Sequence, residues 1–261
     1  MRKVICWLIS TALLLICSES VLAELGDSLK IPKGERQSSY VLMSKDNQLL
    51  QDDMTSNPAL FWILEGEALW KQSEKNRPAC IGCHQDISKM KGVATSYPKL
   101  LNKQLVTLED RVNLCRSRQG LPVYAYESKE LLSLTSFIAY QSRDQKIHLN
   151  LSPELKEQAQ KGEALFNFRM GQINLSCANC HEERSGLSLG GVIIPQGHPT
   201  AYPIYRIEWQ SVGSLQRRLR NCMIGLRAEP FAFGSEELKQ LELFLKVRAD
   251  GMDFEAPGVR P

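Results

Sequence analysis

The chain has 261 residues, 43% of them hydrophobic and 23% charged, with a formal net charge of +3. That length holds one large or two small domains, and that balance excludes a largely disordered chain. No run of basic residues interleaved with aromatics occurs, which argues against a nucleic-acid surface.

In chain order, Arg2 and Lys3 precede an apolar run from Val4 to Cys17, and Val21-Leu22-Ala23 stands before Glu24. Residues 1–23 therefore read as a secretory signal, with the mature chain starting near Glu24. The apolar run is shorter than the about 20 residues a spanning helix needs, so no stable membrane anchor is expected. Of eight cysteines, Cys6 and Cys17 would leave with the signal. Residues 24–59 form an N-terminal extension to which the sequence assigns no role.

Two C-x-x-C-H motifs follow, Cys80-Ile81-Gly82-Cys83-His84 and Cys177-Ala178-Asn179-Cys180-His181. Such a pentapeptide offers two thiols to the vinyl groups of a haem and an imidazole to its iron. One copy could belong to a zinc site. Two copies predict two covalently bound haem c groups, attached at Cys80, Cys83, Cys177 and Cys180, with His84 and His181 as proximal ligands.

The motifs sit inside a longer repeat. Gly66-Glu67-Ala68-Leu69-Trp70 precedes the first and Gly162-Glu163-Ala164-Leu165-Phe166 the second; Tyr97-Pro98 and Tyr202-Pro203 follow them. The segment Leu108 to Cys115 then aligns without gaps on Leu215 to Cys222, and Ser128 and Ser235 each open a run with helical apolar spacing. The expected fold is mainly α: two tandem cytochrome c-like domains related by internal duplication, residues 60–145 and 146–261, the second with a C-terminal tail.

The far side of each iron needs a donor. His148 lies in the linker and His198 in a loop of the second unit, at places that do not match in the repeat; Met90 and Met170 have no counterparts, and Met223 is matched by Arg116. Cys115 and Cys222 do match. They are either distal ligands or partners in a disulfide, which export would permit. The repeat favours ligation, because equivalent sites in two domains face their own haems. Arg111 and Arg218 stand one helical turn before each cysteine. Only the second copy adds Arg217, Arg220 and Arg227, either a charged surround that lowers the thiol's pKa or a basic docking patch.

With the signal, both motifs, the matched cysteines and the Arg218 to Cys222 element, the chain resembles the diheme SoxA cytochromes, catalytic subunits of the L-cysteine S-thiosulfotransferase of the Sox sulfur-oxidation pathway. The resemblance implies a periplasmic enzyme, His84/Cys115 and His181/Cys222 ligation, and Cys222 as the catalytic sulfur, which can be present as a persulfide, with Arg218 facing substrate. It also implies a heterodimer with the small monohaem cytochrome SoxX, the SoxYZ carrier as co-substrate and thiosulfate as sulfur donor. The alternatives are a diheme thiosulfate dehydrogenase forming tetrathionate and a diheme electron carrier without catalysis. Matched distal cysteines argue against a peroxidase, which needs an open iron site.

Overall fold

The computed structural model describes residues 31–261; the secretory segment read at residues 1–23 lies outside them. The first half carries helices α1 (Lys45–Asp52), α2 (Leu60–Lys71) and α3 (Cys80–His84), the hairpin β1 (Lys99–Leu101) and β2 (Gln104–Val106), then α4 (Leu108–Arg118) and α5 (Lys129–Tyr140). The second half carries α6 (Pro153–Asn167), α7 (Cys177–His181), β3 (Ser188–Leu189), β4 (Val192–Ile193), β5 (Ile204–Arg206), β6 (Ser211–Gly213), α8 (Leu215–Gly225), α9 (Glu236–Arg248) and β7 (Gly258–Arg260). The described chain is mainly helical, and none of its helices is long and apolar enough to cross a membrane.

Each half is built on one helix crossing. α2 packs on α5 and α6 on α9, and the glycine of each Gly-Glu-Ala-Leu segment sits at the crossing. A Cβ on Gly66 would lie 2.1 Å from the Ser133 carbonyl oxygen, and one on Gly162 2.0 Å from that of Gln240. Only a residue without a side chain lets the backbones come this close. An aromatic pair at the same place in both halves closes the crossing: Trp70 on Phe137 at 6.0 Å, and Phe166 on Phe244 at 5.3 Å. Ser128 and Ser235 cap α5 and α9 by accepting the Leu131 and Leu238 amides, contacts worth about 1 kcal/mol each. Both Tyr-Pro bonds are cis.

The halves meet through equivalent residues. Tyr126 and Phe233, each two places before its cap serine, stack at 6.0 Å, and the Ser214 amide donates to Glu127 at 3.3 Å. The segment between the halves is pinned: the Asp144 amide donates to the Phe254 carbonyl at 2.8 Å, and the Phe254 amide donates to the Gln145 carbonyl at 2.9 Å.

The described part of the extension packs over the second half. Gln37 binds the Gln196 side chain at 2.7 Å, and the buried Gln51 accepts the Val259 amide at 3.0 Å. Arg260 donates to Ser39 and to Glu255. β7 thereby pairs in parallel with β5, extending the β5–β6 hairpin to a three-stranded sheet ordered β6-β5-β7.

Candidate functional site

The second C-x-x-C-H forms the short helix α7, whose first turn is fixed by a capping box between Ser176 and Asn179. Cys177, Cys180 and His181 share one side of so short a helix. The His181 Nδ1–H donates to the Pro195 carbonyl at 2.7 Å, which orients the ring and leaves Nε2 as the free donor atom. Gly197, at φ +76°, packs on that ring; a Cβ there would lie 3.1 Å from the imidazole Cγ.

α8 supplies the opposing groups. Ser214 caps it by accepting the Arg217 amide at 3.1 Å, and Arg218 and Cys222 then lie one turn apart on a shared face. Cys222 is within hydrogen-bonding reach of His181. Burial alone would raise the Cys222 pKa, but the His181 hydrogen bond and the electrostatic influence of Arg218, His181 and Arg206 outweigh it, and the thiol sits below its ordinary value. Arg218 is held more firmly protonated than usual: burial opposes this, and its electrostatic interactions with Cys222, Tyr202 and Glu208 overcome it. Cys177 is pushed up to about 12 by burial and then by the neighbouring Cys222.

The first site repeats the plan with different surroundings. His84 lies at 5.4 Å from the Trp70 ring, and burial followed by the Arg111 charge lowers its pKa. Cys115 neighbours Cys80. Arg116 stacks on Tyr124 at 3.6 Å and pairs with Glu74 at 3.0 Å. All six described cysteines are free. Cys115 neighbours the first motif and Cys222 the second.

The other donors considered from sequence are placed elsewhere. His148 is exposed and contacts Asp250 at 3.3 Å. His198 is buried and hydrogen-bonded at Nδ1 to the Gln37 carbonyl at 3.0 Å. Met223 belongs to the core, and Met170 packs against it.

The charge around Cys222 differs from the cluster suggested by the run Arg217, Arg218, Arg220. Arg217 lies over Trp209 at 4.2 Å and reaches Ser211 at 3.1 Å. Arg220 donates to the Phe231 carbonyl and lies over Phe233 at 4.4 Å. Arg227 is exposed beyond the end of α8 and lines an open cleft with Phe168 and Phe231. Helical phase is the reason: of the three arginines on α8, only Arg218 stands a full turn from Cys222. The second cation at the sulfur is Arg206 at the end of β5, paired with Glu208 at 2.8 Å. Sequence reading missed it, although aligning the Tyr-Pro pairs sets Arg206 against Leu101.

Two thiols on one short helix, an imidazole with one nitrogen tethered, and a thiol near that imidazole form a donor set whose chemistry fits haem c. The comparisons agree with this chemistry. The model of the SoxA/TsdA cytochrome c domain matches residues 65–147 and 161–254, and a cytochrome c domain carries covalently bound haem c. The L-cysteine S-thiosulfotransferase subunit SoxA of Pseudaminobacter salicylatoxidans is 32% identical over 236 residues, 88% of this chain and 82% of its relative. That of Rhodovulum sulfidophilum is 30% identical over 231 residues, 87% of this chain and 80% of its relative. The crystal structure of SoxXA from P. pantotrophus superposes with a TM-score of 0.83 at 29% identity, covering 87% of each chain. The chain belongs to the SoxA/TsdA cytochrome c family and, within it, to the SoxA subunits of L-cysteine S-thiosulfotransferases.

Proposed function

We propose that this chain carries two haem c groups, held by Cys80, Cys83 and His84 and by Cys177, Cys180 and His181, and that it joins thiosulfate oxidatively to a cysteine of a SoxYZ-type carrier at Cys222. The single observation that carries the reading is the placement of Cys222 beside His181 and one helical turn from Arg218, with its thiol pKa held down despite burial. Cys115 would offer a sulfur donor to the first haem and Cys222 to the second, each lying beside its motif.

The overall step is a thiol plus thiosulfate giving a protein-bound S-thiosulfonate, one proton and two electrons. Bound haem supplies the route by which electrons leave, and a thiolate donor keeps its potential low relative to a methionine. The chain does the rest. Arg218 and Arg206 attract the sulfonate oxygens, Arg218 with a planar fork suited to bidentate contact. The Cys222 sulfur, as thiolate or persulfide, forms the transient sulfur–sulfur link that the carrier cysteine attacks. Tyr202, whose pKa is raised chiefly by burial, stays protonated beside Arg218 and Cys222. The superposition on SoxXA supports a small SoxX-type cytochrome as heterodimer partner and electron acceptor. A secretory signal at residues 1–23 and two haem c groups suit the periplasm.

Replacing Cys222 with Met tests the reading. Thiosulfate-dependent reduction of the partner cytochrome should fall about a thousandfold or more, while the chain's mass still includes both haems. Unchanged turnover would reject Cys222 as the catalytic sulfur.

A further inference from the structure

Between the two halves lies a cavity of about 30 Å³, enough for a water molecule. Its wall includes Tyr97, Tyr202 and Phe254, together with three ionisable side chains, Glu109 from α4 and Glu242 and Lys246 from α9. Glu109 and Glu242 are each 9% exposed and Lys246 5%. Tyr97 is a neighbour of Arg111 and Cys115, and Tyr202 of Arg218 and Cys222, so the cavity borders both sites.

Helix packing does not demand these charges. Counting from the caps Ser128 and Ser235, Glu242 occupies the place of Thr135 and Lys246 that of Ala139, both fully buried in α5. Burying an ion costs several kcal/mol after relaxation, and α5 manages with neutral residues at the two matched places. The surrounding charges are engaged elsewhere: Asp110 with Lys239 at 3.2 Å and with the Tyr126 hydroxyl at 2.7 Å, and Glu127 with Arg217 at 4.0 Å. From α8, Gln216 faces Glu242. Lys246 lies over the Phe254 ring at 4.5 Å. The three groups, fully ionised, would leave one uncompensated negative charge. Burial, then repulsion from Glu109, pushes Glu242 up; burial first, then Glu127 and Asp110, push Glu109 up against its hydrogen bonds to backbone and Thr107; burial pulls Lys246 down.

We propose that Glu109, Glu242 and Lys246 form a proton store shared by the two haem sites, loaded when an electron arrives and emptied when it leaves. The proposal rests on the two-haem reading. Each arriving electron adds one negative charge, and one carboxylate takes one proton from water to become a carboxylic acid. When the partner cytochrome removes the electron, that proton returns to solvent, so the buried region keeps its net charge through the cycle.

Redox titration of the haem-loaded protein, followed by absorbance between about pH 6 and 9, tests this. Wild type should show a potential that falls with rising pH, by up to about 59 mV per tenfold fall in proton concentration. Glu242→Gln should flatten that slope with the haem spectrum intact. A pH-independent wild-type potential, or an unchanged slope in the variant, would overturn the proposal. A readout without any variant is the reduced-minus-oxidised infrared spectrum of wild type: a carboxylic acid band should appear on reduction and shift when glutamate is carbon-13 labelled. A band absent, or unmoved by the label, would overturn the store. Counting haems per chain on the same sample separates this outcome from failure of the two-haem reading.

Discussion

His181 and Cys222 face each other across the second site, the imidazole tethered through Nδ1 to the Pro195 carbonyl at 2.7 Å and the thiol within hydrogen-bonding reach of the ring. α7 and α8 thus bring a nitrogen and a sulfur together, and Arg218 shares the face of α8 that carries the sulfur. The arrangement makes Arg218 the first residue to test after Cys222. Arg218→Ala should lower kcat/KM for thiosulfate roughly a hundredfold, the scale of one preorganised charge contact, and Arg218→Lys should recover part of it. Normal turnover of Arg218→Ala at low thiosulfate would remove the arginine from substrate binding.

The two cysteines should separate in their effects. Cys115→Met is expected to raise the potential of one haem, since methionine donates less electron density than thiolate, and to keep conjugation within about tenfold of wild type. Redox titration and a turnover assay on the same preparation check both halves of this statement. Loss of conjugation equal to that of Cys222→Met would mean that the first site also performs chemistry.

Much of this plan was legible in the chain. The repeat picked out the matched segments that form the crossings and both cap serines, because a repeated segment and a hydroxyl at a helix start are local signals; that the glycines mark the backbone contact emerged only from the fold. It also aligned Cys115 with Cys222. What it hid was tertiary or asymmetric. Arg206 stands where the first copy has Leu101, so searching for matches passed over it. The Pro195 carbonyl that orients His181 carries no side-chain signal. The extension's place over the second half depends on Gln51 and Arg260, which strand pairing brings together from distant parts of the chain. Arg217 and Arg220 looked like partners of Arg218 in a linear run, and helical phase turned them away from the sulfur.

The crossing glycines give a stability prediction. Gly162→Ala places a methyl carbon 2.0 Å from the Gln240 carbonyl oxygen, backbone that can move only with α9. The substitution should destabilise the haem-loaded protein by about 1–3 kcal/mol, the usual cost of overpacking, and Gly66→Ala by a similar amount. Denaturant unfolding followed by helical circular dichroism measures this. A change near zero would show that the helices separate without cost.

His198 gives a pH prediction. Burial first, opposed by its hydrogen bond to Gln37, pulls its pKa down to about 4, below the ordinary value near 6.5. The unfolded chain then binds a proton that the native state refuses between these values, so stability rises with pH across that window. It is lost on acidification from about pH 6.5 to about 4, by up to about 3 kcal/mol, and levels off below. His198→Asn, which keeps a donor for the Gln37 carbonyl, should flatten this acid limb. An unchanged slope between the two pH values would place the titration elsewhere.

The most direct test of the central claim follows the mass of the sulfur-carrier protein during turnover of the haem-loaded chain with thiosulfate, its partner cytochrome and an electron acceptor, in parallel with a reaction lacking carrier. The account predicts a thiosulfate-sized adduct on the carrier cysteine and little oxidation of thiosulfate when carrier is omitted. Tetrathionate formed at full rate without carrier, and no adduct with it, would contradict the account and make the protein a thiosulfate dehydrogenase.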